Sequence, residues 1–145
     1  VDGDYDDDLL SELLGSAEDS AAAYLNRAVF PDQSALSAAL AELPAGAAAA
    51  AEEYASAIAA AASESNAEMA KAMVEVALAK RDALALARNR VLHGIVVNGS
   101  VVAAIRLMLG DLYANRENTM VGAVAVEMPA GAKALLRPYR RVMGP

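Results

Sequence analysis

Between Ala47 and Ala62 the chain is nearly polyalanine: eleven of these 16 residues are Ala, relieved by Glu52, Glu53, Tyr54, Ser56 and Ile58. Ala is the strongest helix former and brings no bulk. Unlike a Gly/Ser linker, such a run predicts helix, and a helix that packs through narrow faces. The bias extends to the whole chain, which has 37 Ala among 145 residues. Hydrophobic residues make up 57%, yet aromatics are only 4%, with one Phe and no Trp. A core so poor in large side chains requires close backbone approach. Helices with Ala faces supply it; an all-β sandwich, which needs β-branched and aromatic strands, is excluded. The length suits one domain with a true core.

The remaining composition excludes several kinds of chemistry. Zero Cys rules out disulfides, thiolate metal sites and a Cys nucleophile. A single His, His93, leaves no His-rich metal site. The formal charge of −7 disfavours non-specific nucleic-acid binding, which needs cations against phosphates. No run of 18 apolar residues occurs, and the most apolar stretch, Val91 to Gly110, holds His93, Asn98, Ser100 and Arg106, so no membrane span is expected. No secretory signal is visible. The chain opens on Val1 rather than Met, which fits a leading segment missing or removed.

Hydrophobic spacing predicts the elements. Eight acids and no base lie in the first 20 residues, and acids favour a helix start. Leu9, Leu10, Leu13, Leu14, Ala17, Ala21, Tyr24 and Leu25 then recur at helical spacing, giving a helix from about Asp6 to Arg27. Asp32 suits the N-cap of a short helix through Leu36, Leu40 and Leu43, with Pro44 and Gly46 as punctuation before the Ala run. Ser63 to Asn66 reads as a break or cap. Met69, Met73, Val76, Leu84, Ala87 and Val91 share a stripe with Lys80, predicting an amphipathic helix of about 26 residues, roughly 39 Å long. Asn98-Gly99 reads as a turn, with Ser100 capping a helix through Val101, Val102, Ile105, Met108, Leu109 and Leu112 to about Arg116. Between Ala123 and Met128 the period becomes two, predicting a short strand or arm within 119–128. Pro129 opens a two-turn helix to Arg137, and Pro138 stops it. The expected class is all-α, mainly a helical bundle, with one extended segment near 119–128 and a C-terminal tail. Its divisions are an acidic helix at 1–30, an Ala-rich insertion at 31–98, closing helices and arm at 99–137, and a tail at 138–145.

Candidate chemical motifs fail on spacing. Asp2, Asp4 and Asp6 fit the opening of an EF-hand loop, but Asp7 stands where Gly is needed and Leu13 where the bidentate Glu is needed. The Asp cluster is instead a solvated acidic helix start. Glu52 and Glu53 are adjacent and do not share a helix face, and no Glu-x-x-His pair suggests a di-iron site. The glycines form no phosphate loop. His93 has no nucleophile partner and reads as a packed or capping residue. No cofactor, metal or catalytic residue is expected. The Met69–Met73 stripe is core more often than binding groove, so on these grounds alone the chain is a helical interaction protein.

The C-terminal third is more specific. Leu112-Tyr113-Ala114-Asn115-Arg116-Glu117 is followed by Val121-Gly122, then Val126-Glu127-Met128-Pro129, and finally Ala134-Leu135-Leu136-Arg137-Pro138-Tyr139-Arg140. This order resembles the head–tail connector (adaptor) family of long-tailed bacteriophages and related gene transfer agents. Asp6-Asp7-Asp8-Leu9-Leu10 leading to Ala17, Ala21 and Tyr24 resembles that family's first helix. About half of the chain is covered. Met128 stands where Leu is usual, and residues 31–98 match nothing in the pattern.

The resemblance implies a structural role without catalysis. Such proteins form a ring, commonly of twelve subunits, beneath the portal protein, and join it to stopper or tail completion proteins in the virion neck. Genomic DNA passes through the lumen without specific binding, which an acidic subunit suits. The residues expected to meet the portal or a neighbouring subunit are Tyr113, Asn115, Arg116 and Glu117 at the helix end. Val124, Val126, Met128 and Pro129 are expected to do so in the arm and turn. In the tail they are Leu135, Leu136, Arg137, Pro138, Tyr139, Arg140 and Arg141; the part after Leu136 lies outside the apolar stripes and is expected to dock without supporting the bundle. The competing reading is a cellular scaffolding or regulatory bundle that binds one partner through a helix groove.

Overall fold

The computed structural model describes residues 3–115 and 127–142. The fold is all-α, as expected. The described helices are α1 (Gly3–Leu25), α2 (Gln33–Ala62), α3 (Ala67–Leu92), α4 (Gly99–Ala114) and α5 (Ala130–Leu136), followed by a 3-10 turn, Arg137–Tyr139. The chain divides into two compact units, one made of Val1–Val29 with Ile95–Pro145 and the other of Phe30–Gly94.

The first unit holds the larger core. Leu13, Ala17, Ala21 and Leu25 recur every four residues and put one face of α1 inside. Val101, Ala104 and Met108 do the same for α4, and Ala132 and Leu136 for α5. Four of these nine are Ala, each at most 1% exposed, so the helices meet almost backbone to backbone. Leu25, Leu136 and Val101 are the largest fully buried side chains; each contributes about 1.5–3 kcal/mol by leaving water. Tyr24, Ile105, Leu109, Leu112, Met128, Leu135 and Tyr139 pack around this centre.

Capping residues set the ends, and here several expectations are corrected. α1 stops at Leu25 because Asn26 turns left-handed, with φ 52°, a conformation Asn tolerates better than most residues. Asn98 does not make a turn: it is extended (φ −130°, ψ 173°), and its side chain accepts from the Val101 N–H at 3.1 Å. Asn98, not Ser100, is therefore the N-cap of α4. Two short strands, β1 (Val29–Phe30) and β2 (Ile95–Val96), pair with each other where none was expected. Two residues are too few for alternation to show in a sequence. The Ile95 N–H donates to the Ala28 carbonyl at 2.9 Å beside them. The extended arm expected at 119–128 lies mostly outside the described residues; Glu127 to Pro129 carry no regular secondary structure.

The second unit is a helical hairpin of α2 and α3. Asp32 caps α2 as expected, accepting from the Ala35 N–H at 2.8 Å. The expected break at Pro44 does not occur: α2 runs through it for 30 residues. Pro44 forfeits one backbone hydrogen bond. Strong helix formers lie on both sides of it, so the helix continues through the one lost bond. Ser63 and Asn66 form the connection as expected. The Ser63 Oγ donates to the Ala59 carbonyl at 3.1 Å, and Asn66 Oδ1 accepts from the Glu68 and Met69 N–H groups at 3.0 and 3.1 Å. By length and composition alone α2 is also long and apolar enough to cross a membrane, where no such stretch was expected. Its apolarity comes mostly from Ala, and it carries Glu42, Glu52 and Glu53.

Candidate interaction surfaces

In the first unit, the end of α1 and the C-terminal tail form one structure. The 3-10 turn at Arg137–Tyr139 redirects the chain after α5. Tyr139 packs on the core, the Arg140 guanidinium lies 4.9 Å from the centre of the Tyr24 ring, and the Arg141 N–H donates to the Leu25 carbonyl at 2.9 Å. That last bond satisfies one of the carbonyls that a helix end leaves open. The tail is thus built into its own unit, which corrects the expectation that it lies outside the packed structure.

The expected contact residues separate accordingly. Leu136 is fully buried and presents nothing to a partner while the unit is packed. Leu135, Tyr139 and Met128 are half-buried against the core. Arg137, Pro138 and Arg140 are exposed, and Arg141 is half-buried. At the end of α4, Tyr113 is exposed, whereas Asn115 is occupied as the C-cap. Its side-chain amide donates to the Asp111 carbonyl at 2.9 Å and its backbone N–H to the same oxygen at 3.0 Å. Pro129 stands at the start of α5, and with Met128, Ser20, Met108 and Leu112 it lines a small cleft of about 50 Å³. Arg116, Glu117, Val124 and Val126 lie outside the described residues. The surface available in this unit is a cationic rim of Arg137 and Arg140 beside Tyr24, with Tyr113 as a separate aromatic position. Tyr24 and Leu25 as the seat of the tail went unrecognised; both were visible only as members of the α1 stripe, because their partner is more than a hundred residues away.

Electrostatics near α5 are local. Lys133 Nζ donates to Glu127 Oε1 at 2.8 Å, and this hydrogen bond, reinforced by the lysine charge, holds the Glu127 carboxyl below its ordinary pKa.

The second unit carries a different surface. A groove of about 440 Å³ runs between α2 and α3, walled by Ala50, Tyr54 and Ala57 on one side and Met69, Met73 and Val76 on the other. Lys80 pairs with Glu53 at its edge. Arg81 lies 5.1 Å from the Tyr54 ring centre and hydrogen-bonds Asp82 at 2.9 Å, which raises its pKa above the usual guanidinium value. The stripe that reads as core in the sequence is only partly so: Ala77 is buried, but Met69 is 55% and Val76 67% exposed.

Among the described residues, no group of three or more His, Cys, Asp or Glu side chains is placed to hold a metal ion. His93 is the C-cap residue of α3, its N–H donating to the Asn89 carbonyl at 3.2 Å. No protein family, curated protein or solved structure matches the chain.

Proposed function

We propose that the chain is a head–tail connector subunit, a structural protein that sits in a ring beneath a phage portal, joins it to the stopper or tail proteins and forms part of the DNA conduit. One observation supports this best. The two segments that carry the resemblance, the acidic first helix and the closing Leu135-Leu136-Arg137-Pro138-Tyr139-Arg140 run, lie far apart in sequence and pack into one unit. They meet through Arg140 on Tyr24 and Arg141 on Leu25. The unmatched region, which the resemblance does not reach, forms a unit of its own from Phe30 to Gly94. The motif residues in this reading have two tasks. Leu136 and Tyr139 hold the tail down, and Arg137, Arg140 and Tyr113 face outward, where aromatic and Arg anchors commonly carry interface energy.

The test is co-expression with a portal protein encoded in the same gene neighbourhood, followed by electron microscopy of the purified portal rings. An added ring of density that disappears with an Arg137→Glu, Arg140→Glu chain is the expected result. Portal rings that never acquire this chain overturn the reading. The groove on the second unit favours the alternative, a cellular bundle that binds a partner helix. In that case genomic neighbours encode no portal, capsid or tail proteins, and deletion leaves virion assembly intact.

A further inference from the structure

The hairpin of α2 and α3 is long but nearly coreless. Among its residues only Ala61 and Ala77 are buried, although α2 spans 30 residues and α3 spans 26. Its groove meanwhile leaves Met69 and Val76 more than half exposed. Contiguous apolar surface of this kind marks an interface. The charges at its edge are already matched within the hairpin, Lys80 with Glu53 and Arg81 with Asp82. A partner covering the groove therefore needs an apolar face more than a counter-charge.

We propose that the partner is a second copy of the same hairpin, laid with the two α3 helices antiparallel. The groove positions on α3 map onto themselves about a two-fold axis between Val76 and Ala77. Met69 then faces Leu84 of the second copy, Met73 faces the aliphatic stem of Lys80, and Val76 faces Ala77. One patch serves both chains, as an isologous contact requires. Charge favours the same direction. Before the axis, Glu64, Glu68 and Glu75 outnumber Lys71; after it, beyond the two pairs already matched within the hairpin, Arg88 and Arg90 add positive charge. Antiparallel copies set unlike halves side by side, and parallel copies would set like halves together. The small side chains of Ala50 and Ala57 leave room for the incoming Met and Val side chains, the arrangement of large against small that lets helix layers interdigitate. This pairing belongs to the free subunit and is independent of the connector reading, because a two-fold contact is not part of a cyclic ring.

The chain lacks Cys, so single introduced cysteines report the contact cleanly. Full-length Val76→Cys protein, placed next to the axis, crosslinks to a covalent dimer under mild oxidation. It does so at least about tenfold faster than Lys71→Cys protein, whose cysteine sits on the opposite side of α3, because pairing raises the local thiol concentration. Sedimentation gives wild-type protein twice the chain mass, and Val76→Glu halves it while the helical circular dichroism stays constant. Equal crosslinking at positions 76 and 71 overturns the pairing. So does a Val76→Glu chain that sediments like the wild type, including the case in which the wild type is a monomer.

Discussion

Gly94 shows how one residue can close a unit. A Cβ built there would lie 2.7 Å from the Phe30 ring, 2.9 Å from the Val91 carbonyl oxygen and 3.0 Å from Leu36. The ring and the leucine tip can turn away; the carbonyl belongs to the last turn of α3 and cannot. Gly94→Ala is expected to destabilise the hairpin by about 1–3 kcal/mol, the usual cost of overpacking. Gly46→Ala is the contrasting case: it is exposed inside α2 with open space around it. That change should stabilise by about 0.5–1 kcal/mol through helix propensity. Urea melts of the two variants check both signs. A second residue-level expectation concerns Glu127. Its carboxyl pKa is lowered in the folded chain by the hydrogen bond and charge of Lys133. A lowered folded pKa means a contribution present above the unfolded carboxyl pKa and lost as the pH falls through the folded one. The contact should therefore survive to a pH below the ordinary Glu range and then fail. Carboxyl titration by NMR should show Glu127 returning to that ordinary range in Lys133→Ala.

At the scale of elements, the tail behaves as a clasp. Removing everything after Leu136 deletes Tyr139 from the edge of the core, the Arg140 contact on Tyr24 and the hydrogen bond from Arg141 to Leu25. Burial of part of a Tyr ring and one backbone bond each contribute on the order of 1 kcal/mol. The truncated chain should melt earlier, by an amount that thermal circular dichroism resolves, and Tyr139→Ala should account for about half of the loss. An unchanged melting temperature would return the tail to the role of a free docking segment. The helices themselves were legible where a physical rule acts locally. Asp32 and Asn66 cap as their side chains predict, and the four-residue spacing of Leu13, Ala17, Ala21 and Leu25 marks the buried face of α1 directly. Legibility ended where a distant partner decides. Pro44 reads as punctuation, yet the long Ala-rich helix α2 runs through it. The strands at Val29–Phe30 and Ile95–Val96 exist only because each has the other. The α3 stripe misled for the opposite reason, since helical spacing identifies an apolar face without saying whether this chain covers it.

For the whole molecule, charge is the property that bears most directly on a DNA conduit. The chain has 12 basic and 19 acidic residues, a net −7. Tight non-specific binding to duplex requires several phosphates to be neutralised at once, with an affinity that falls steeply with salt. The densest cations available are Arg137, Arg140 and Arg141. Arg140 lies against Tyr24 and Arg141 is half-buried, so they do not form a free basic stripe. On α3, Lys80 and Arg81 are engaged by Glu53 and Asp82. The acids have no such local balance at the start of α1, where Asp7, Asp8 and Glu12 come with no nearby base in sequence, and Asp7, Asp8 and Glu12 are all exposed. In the proposed ring, many copies would multiply this negative charge, so a duplex passing through it would meet repulsion or neutrality and could slide. The purified chain should accordingly show no duplex binding in fluorescence anisotropy at physiological salt and gain none on dilution to modestly lower salt. Replacing Asp7, Asp8 and Glu12 together with Lys should create weak, strongly salt-sensitive binding, because it raises the net charge by six while leaving the core residues of α1 untouched. Tight, salt-sensitive binding by the unmodified chain would mean that its cations are better exposed than the contacts of Arg140, Lys80 and Arg81 imply, and would count against a passive conduit.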